Sequence, residues 1–265
     1  MPNKERRKVT LSVPASCRPV ARDHEKQEIT ESIEEYTEGI YRLQEELNVV
    51  GTGDIARYMN VAAASVTMML KKLVEHELIE HTPYQGVRLT KKGEQLSISL
   101  LRKHRLVECL LVDFLELPWE DVHELACKLE HYLSEDVADR IARAMNYPRT
   151  CPHGNPIDAT AQDGSIRLAE CGVGESWRVV KITDERMEFL TYLLQIGLTP
   201  QAPITVKSRT PFGDVMTLEV EGQSAPIAIG RDVATNIWVV RMPDAHDHEA
   251  VPGENLAGRH QGVTT

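Results

Sequence analysis

The stretch TGDIARYMNVAAASVTMMLKKL, residues 52–73, decides the fold. Thr52-Gly53-Asp54 reads as the cap of a short helix, Ile55 to Met59, and Asn60-Val61 as a tight turn into a longer helix from Ala62 to His76. Upstream, Ile33, Tyr36, Ile40, Tyr41, Leu43 and Leu47 recur at three- and four-residue spacing, which predicts an amphipathic helix capped near Thr30 or Ser32 and ended before Gly51. Downstream, Leu78-Ile79 and Val87 to Thr90 predict two strands joined by a turn at Tyr84-Gln85-Gly86. Three helices followed by a two-stranded hairpin is the order of a winged helix-turn-helix.

Beyond the hairpin, Glu94 to Asn146 reads as helix almost throughout. A strongly apolar segment, Gln95 to Leu115, breaks at Leu117-Pro118; a second runs from about Trp119 to Leu133; a third follows Ser134, whose hydroxyl is a good N-cap with Glu135 and Asp136 behind it. So much apolar helix cannot bury itself alone, which predicts a dimer interface. From Trp177 the pattern changes to short strands: Trp177 to Ile182, Ile204 to Lys207, Met216 to Val220, Pro226 to Ile229 and Ile237 to Val240, with one helix from Glu188 to Ile196. Such strands predict a small closed β-barrel. The expected organisation is α+β: a flexible basic arm over 1–27, a winged helix over 28–95, a helical metal-binding and dimerisation domain over 96–150, a linker over 151–174, a small barrel over 175–242 and a disordered tail over 243–265.

Composition narrows the classes. The chain has 265 residues, 42% hydrophobic and 26% charged, which is ordinary for a globular protein. No stretch approaches 18 apolar residues, and the cluster Lys4, Arg6, Arg7, Lys8 is not followed by an apolar segment, so the expectation is a cytoplasmic protein with no membrane partner. Five scattered cysteines suit reduced thiols better than a disulfide framework. The net charge of −10 argues at first against nucleic acid, so the placement of the carboxylates matters more than their sum.

Helical geometry gathers some of them. At about 100° per residue, His123, Cys127, Glu130 and His131 fall in one sector of a helix, while His104 and Glu108 stand at i, i+4 on the preceding helix and Glu35 and Glu38 at i, i+3 on the first. Imidazole, thiolate and carboxylate together suit Fe(II), Mn(II), Co(II), Ni(II) or Zn(II) rather than Ca(II). Each residue alone is more often solvated or structural; the joint pattern carries the signal. Cys151 and His153 form a second possible ligand pair but lie in a turn, Cys109 reads as core, and His246 and His248 as solvated tail.

The motifs Arg102-Lys103-His104-Arg105-Leu106-Val107-Glu108, Val122-His123-Glu124-Leu125-Ala126-Cys127-Lys128-Leu129-Glu130-His131 and Pro152-His153-Gly154-Asn155-Pro156-Ile157 closely resemble the diphtheria toxin repressor and manganese transport regulator family of metal-dependent repressors. The resemblance is strong over about residues 30–157 and extends more weakly to about 241. It implies an SH3-like C-terminal domain and two metal sites per subunit. A primary site falls on Glu35, Cys127, Glu130 and His131, with Glu38 as a second choice, and an ancillary site on His104, Glu108 and His123. In the family the C-terminal domain also supplies ligands; Glu185 and Glu188 are the nearest acids. Iron-type members carry Met where this chain has Glu35, and manganese-type members carry Glu where it has Cys127, so Fe(II) and Mn(II) both stay open as corepressor.

The expected function is a homodimeric, metal-dependent repressor of metal-ion homeostasis that binds double-stranded operator DNA and has no small-molecule substrate. The alternative is a metal-buffering protein or metal-dependent enzyme using the same helical cluster, although no nucleophile motif or phosphate loop occurs. For DNA, Ala62, Ala64, Ser65, Thr67 and Met68 stand at the recognition-helix surface, and Lys71, Lys72, Arg88, Lys91 and Lys92 offer phosphate contacts from helix and wing.

Overall fold

The computed structural model describes residues 29–47, 49–82, 86–161, 164–212 and 214–242. The predicted arm, the predicted tail with His246 and His248, and Tyr84 and Gln85 of the predicted turn lie outside the described residues.

The first unit is built by α1 (Glu31–Glu46), α2 (Thr52–Tyr58), α3 (Ala63–Glu75) and the antiparallel pair β1 (Ile79–Thr82) and β2 (Gly86–Leu89). Ile33, Tyr36 and Ile40 of α1 meet Ile55 of α2, Val66, Leu70 and Leu73 of α3, and Leu78, Val87 and Leu89 around the hairpin. The three- and four-residue spacing fixes which face of each helix goes inward, and full burial of a Leu or Ile side chain stabilises by about 1.5–3 kcal/mol. The helix-turn-helix and wing are therefore as the sequence predicts.

α4 (Lys91–Cys109) follows directly, with the Thr90 hydroxyl accepting from Gly93 N at 3.2 Å as its N-cap. It ends in one wider, π-type turn over Leu110–Phe114, and the chain returns through α5 (His123–Leu129), a 3-10 turn at Glu130–Tyr132 and α6 (Glu135–Ala144). Ser134 Oγ caps α6 by accepting from Val137 N at 3.3 Å. Two small cores hold these helices: Leu106, Cys109, Ala138, Ala142, Cys151 and Ile157, and Val107, Leu111, Val122 and Ala126.

The C-terminal strands depart from expectation. They form β3 (Ile166–Arg167), β4 (Ser176–Ile182), β5 (Pro203–Arg209), β6 (Val215–Val220), β7 (Ile227–Gly230) and β8 (Ile237–Arg241), with α7 (Met187–Gln195) after β4 and α8 (Arg231–Thr235) between β7 and β8. Their order is β3-β8-β4-β5-β6-β7, an open six-stranded antiparallel sheet rather than the closed SH3-like barrel expected from the sequence. Closure needs two neighbours for every strand. β7 pairs only with β6 and β3 only with β8, and β3 contributes just Ile166 and Arg167 to the ladder. α8 takes up the span in which β7 would otherwise turn back onto β8. The sheet still has one apolar face, where Val179, Val206, Leu218 and Val239 pack with Leu190 and Leu193 of α7.

Candidate metal centre and nucleic-acid interface

His104 and Glu108 lie one turn apart on the inner face of α4 and are almost wholly buried, at 1% and 0% exposure. The break at Leu117-Pro118 folds the chain back so that α5 lays His123 and Cys127, again one turn apart, across them. His104 Nε2 lies 2.9 Å from Glu108 Oε1 and 3.1 Å from His123 Nδ1, and Cys127 Sγ lies 3.7 Å from His123 Nε2. On its other side, His104 Nδ1 meets Glu130 Oε2 at 2.7 Å.

Two further segments close the cluster. The turn Cys151-Pro152-His153-Gly154-Asn155 is pressed against β4: Gly154 has φ +85°, and a Cβ there would stand 1.9 Å from the Val180 carbonyl oxygen, so only glycine lets the turn approach. His153 Nε2–H donates to the Trp119 carbonyl at 2.8 Å, which leaves Nδ1 facing Glu108 Oε1 at 3.1 Å. Just after β4, Glu185 is held by Asn155 Nδ2, which donates to Glu185 Oε1 at 2.8 Å and to the Ile182 carbonyl at 2.9 Å. Glu185 Oε2 then lies 3.1 Å from His123 Nδ1.

Three of these atoms, Glu108 Oε2, Glu185 Oε2 and His153 Nδ1, are buried with no hydrogen-bond partner. The 3.1 Å approaches of His153 to Glu108 and of His123 to Glu185 are thus close in distance but not aligned as hydrogen bonds. Unsatisfied buried acceptors are costly, by about 1–3 kcal/mol each, and a bound cation would satisfy them. The donors fit a divalent metal in overlapping sets: His104, Glu108, His123 and Glu185; His104, His123 and Cys127; and Glu108, Cys151, His153 and Glu185, each with its ligand atoms within 4.8 Å of one another. Mixed N, O and S donors suit a borderline transition metal and not Ca(II) or Mg(II).

Protons balance the charges in the absence of metal. Burial opposes a charged His123, but Cys127, Glu108 and Glu185 override it and push its pKa up to about 11. His104 is raised well above the usual imidazole range against the same burial, chiefly by Glu108. Reciprocally, Glu108 is held well below the carboxylate range by His104 despite its burial. Glu185 falls to about 2 because His123, Arg42 and His153 outweigh burial and the neighbouring Glu108. Burial raises the Cys127 thiol, yet His104 and His123 bring it below its ordinary value, whereas burial beside Glu108 and Glu185 holds Cys151 well above it.

The sequence-derived ligands are distributed unevenly over this geometry. His104, Glu108, His123 and Cys127 come together, and Glu130 touches them through His104. His131 turns instead to Glu34, with Nδ1 2.7 Å from Glu34 Oε2, and its Nε2 lies 3.7 Å from Glu130 Oε1. Glu35 points to solvent, and Glu38 is buried against Arg42, whose Nε donates to Glu38 Oε1 at 2.9 Å. Cys151 and His153, read from sequence as part of a structural turn, face the cluster. Glu185, too loosely matched to assign from sequence, belongs to two of the donor sets; no local signal marks it, and Asn155 across the turn holds it by a hydrogen bond.

At the other end of the first unit, Ala62, Ala64, Ser65, Thr67 and Met68 are exposed around the N-terminal half of α3, and Met68 is the most exposed large apolar side chain of that helix at 64%. Lys71, Lys72, Arg88, Lys91 and Lys92 are exposed beside them. Thr67 Oγ1 donates to Ala63 O at 3.0 Å and Lys92 Nζ to His76 O at 2.7 Å, so these two have partners within the chain.

A winged helix carrying an exposed basic recognition face, joined through α4 to a buried His, Cys and Glu cluster, defines a metal-responsive DNA-binding regulator. Comparison with known proteins agrees. Residues 28–87 match the family described as "Iron dependent repressor, N-terminal DNA binding domain", residues 90–159 "Iron dependent repressor, metal binding and dimerisation domain", and residues 166–241 "FeoA domain". The iron-dependent repressor IdeR of Mycobacterium tuberculosis is 34% identical over 211 residues, covering 74% of this chain and 91% of the relative. A solved manganese-dependent transcriptional repressor in complex with manganese superposes with a TM-score of 0.73 at 29% identity, covering 79% of this chain and 100% of that one. ScaR with bound Zn2+ gives a TM-score of 0.71 at 31% identity, covering 79% and 99%. The chain belongs to the diphtheria toxin repressor and manganese transport regulator family, and is a metal-dependent, DNA-binding transcriptional repressor rather than an enzyme. Among the described residues no helix is long and apolar enough to cross a membrane.

Proposed function

We propose that this repressor governs metal-ion homeostasis in the cytoplasm, with Fe(II) or Mn(II) as corepressor and a homodimer as the operator-binding form. The division into a DNA-binding unit over 28–95, a helical unit over 96–150 and a C-terminal unit over 175–242 is part of the proposal. The observation that carries it is the overlap of buried and partly buried donor sets from α4, α5, the 151–155 turn and Glu185, several of their atoms without a hydrogen-bond partner.

The proposal includes two metal positions per subunit. One is built on Glu108 and Glu185, completed by His104 and His123 or by Cys151 and His153; the other uses Cys127, Glu130 and His131 with a carboxylate of α1, for which Glu34 is already at hydrogen-bonding distance from His131. A divalent cation bound there supplies positive charge and several directional bonds at once. The chain's own residues do the rest. Glu34 and His131 tie α1, part of the winged helix, to the helical unit, and Glu108 and Glu185 tie the helical unit to the C-terminal sheet. Without a cation, protonated histidines offset the carboxylate charge but supply fewer directional bonds between the units than a metal would; with a cation bound, the recognition helices of two subunits would be held at a fixed spacing that matches successive operator half-sites. Phe114, Leu115, Leu125, Leu129 and Tyr132 are exposed on the helical unit and supply an apolar surface for the second copy.

The test is a mobility shift on the protein's own promoter region with Mn(II), with anaerobic Fe(II) and with chelator. Metal-loaded protein is expected to bind at least tenfold more tightly; equal binding in all three conditions overturns the proposal.

A further inference from the structure

The charges along α1 include a cation for which the ligand set has no use. Glu38, Arg42 and Glu46 recur at four-residue spacing and so share one face of the helix. Arg42 Nε donates to Glu38 Oε1 at 2.9 Å, and its terminal guanidinium nitrogen lies 3.7 Å from Glu185 Oε2. One turn further on, Glu46 pairs at 3.0 Å with Arg167 of β3, which also donates to the Thr235 carbonyl and covers the Trp238 ring. Glu185 Oε2 is buried and has no hydrogen bond, so the guanidinium attracts it through charge alone. Arginine keeps its charge at any accessible pH and cannot be displaced by losing a proton. In the metal-free site Glu185 Oε2 is thus claimed by Arg42, carried by the DNA-binding unit, and by His123 at 3.1 Å; a cation bound among Glu185, Glu108 and the histidines would take the place of the imidazole's proton but leave Arg42 where it is.

We infer that Arg42 is an internal counter-cation of the metal centre: it holds α1 against Glu185 when metal is absent, and by repelling the incoming cation it sets the concentration at which the sensor loads. This rests on the metal reading above. Charges of +2 and +1 about 6 Å apart in a water-like dielectric repel by about a factor of ten in a binding constant, and by more in a partly buried setting. Arg42 acts through Glu185 and is a positioning residue, not a ligand. Glu46 and Arg167 make a second tie of the same helix, belong to none of the donor sets, and so separate loss of a tie from loss of a charge.

The experiment is an equilibrium titration with Mn(II), followed by the electron paramagnetic resonance signal of the free ion, on wild type, Arg42→Met, Arg42→Lys and Glu46→Ala. Arg42→Met is expected to bind about tenfold more tightly, with Arg42→Lys and Glu46→Ala close to wild type; a purely structural role for Arg42 would leave affinity unchanged or weaken it. Unchanged or weaker binding by a folded Arg42→Met, or equal tightening by Arg42→Lys, overturns the inference. Titration of wild type with diamagnetic Zn(II), observed at the Arg42 Nε–H resonance, needs no variant: a shift that tracks saturation is expected, and an unmoved resonance overturns the inference too. Wild type that takes up no Mn(II) or Zn(II) refutes the underlying metal reading and this inference with it, an outcome distinct from normal uptake that ignores Arg42.

Discussion

Replacing Gly154 by alanine places one methyl group where the turn meets the sheet. Gly154 has φ +85°, a region that costs a side-chain-bearing residue about 1–2 kcal/mol. The added Cβ would stand 1.9 Å from the Val180 oxygen and 2.8 Å from Lys181 Cα. An ordinary carbon–oxygen contact is about 3.3 Å, so turn and strand must separate by about 1 Å or more. Such overpacking costs about 1–3 kcal/mol, giving a total near 2–5 kcal/mol. The same movement draws Cys151, His153 and Asn155 away from Glu108 and Glu185, and misplacing supports of this kind weakens metal binding by about 10–100-fold. Urea unfolding in chelator measures the first effect, and Mn(II) titration the second. A Gly154→Ala protein that unfolds within about 0.5 kcal/mol of wild type and binds Mn(II) equally well refutes the claim that this turn builds the centre.

Further outcomes follow from the same geometry. Because His104 and His123 hold protons in the metal-free site, metal uptake at pH 7 must expel them; calorimetry in buffers of different ionisation enthalpy should show proton release and an affinity that rises with pH, and a buffer-independent heat would contradict this. The His123 pKa rises from 6.5 to about 11, so its contribution to metal-free stability is fully present below pH 6.5 and is lost as pH climbs towards 11; the urea midpoint in chelator should fall from pH 7 to 9. Glu185, lowered from 4.5 to about 2, behaves oppositely: its contribution is present above pH 4.5 and fades as pH falls towards 2. Co(II) bound with Cys151 as ligand should show thiolate-to-metal absorption in the near ultraviolet in Cys127→Ser that vanishes in Cys127→Ser/Cys151→Ser; persistence in the double variant excludes Cys151. Lys71→Ala should reduce the salt dependence of operator binding by about one phosphate contact while leaving Mn(II) affinity unchanged, and an unaltered salt slope removes Lys71 from the interface.

The parts legible in the sequence are those that repeat with the helix. Ile33, Tyr36 and Ile40, then Val66, Leu70 and Leu73, announce the faces that form the first core, and His104 with Glu108 and His123 with Cys127 announce donors one turn apart. Which carboxylate of α1 faces the helical unit depends on the helix phase after packing: Glu34 and Glu38 turn inward and Glu35 outward, a difference of one residue that composition does not set. Cys151, His153 and Glu185 belong to the centre only because Gly154 lets a turn lie on β4, which is a long-range contact without local periodicity. Strand positions were readable from apolar runs, but barrel closure was not. It depends on the two-residue β3 and the short α8, whose sequences carry no strong strand or helix pattern.

The most direct test of the account is the metal response of DNA binding when one shared donor loses its charge. Fluorescence anisotropy of a labelled promoter fragment, titrated with wild type and with Glu108→Gln in Mn(II) and in chelator, reads it. The account predicts that chelator weakens wild-type binding at least tenfold, and that Glu108→Gln binds weakly in both conditions. Full metal-activated binding by Glu108→Gln would contradict it.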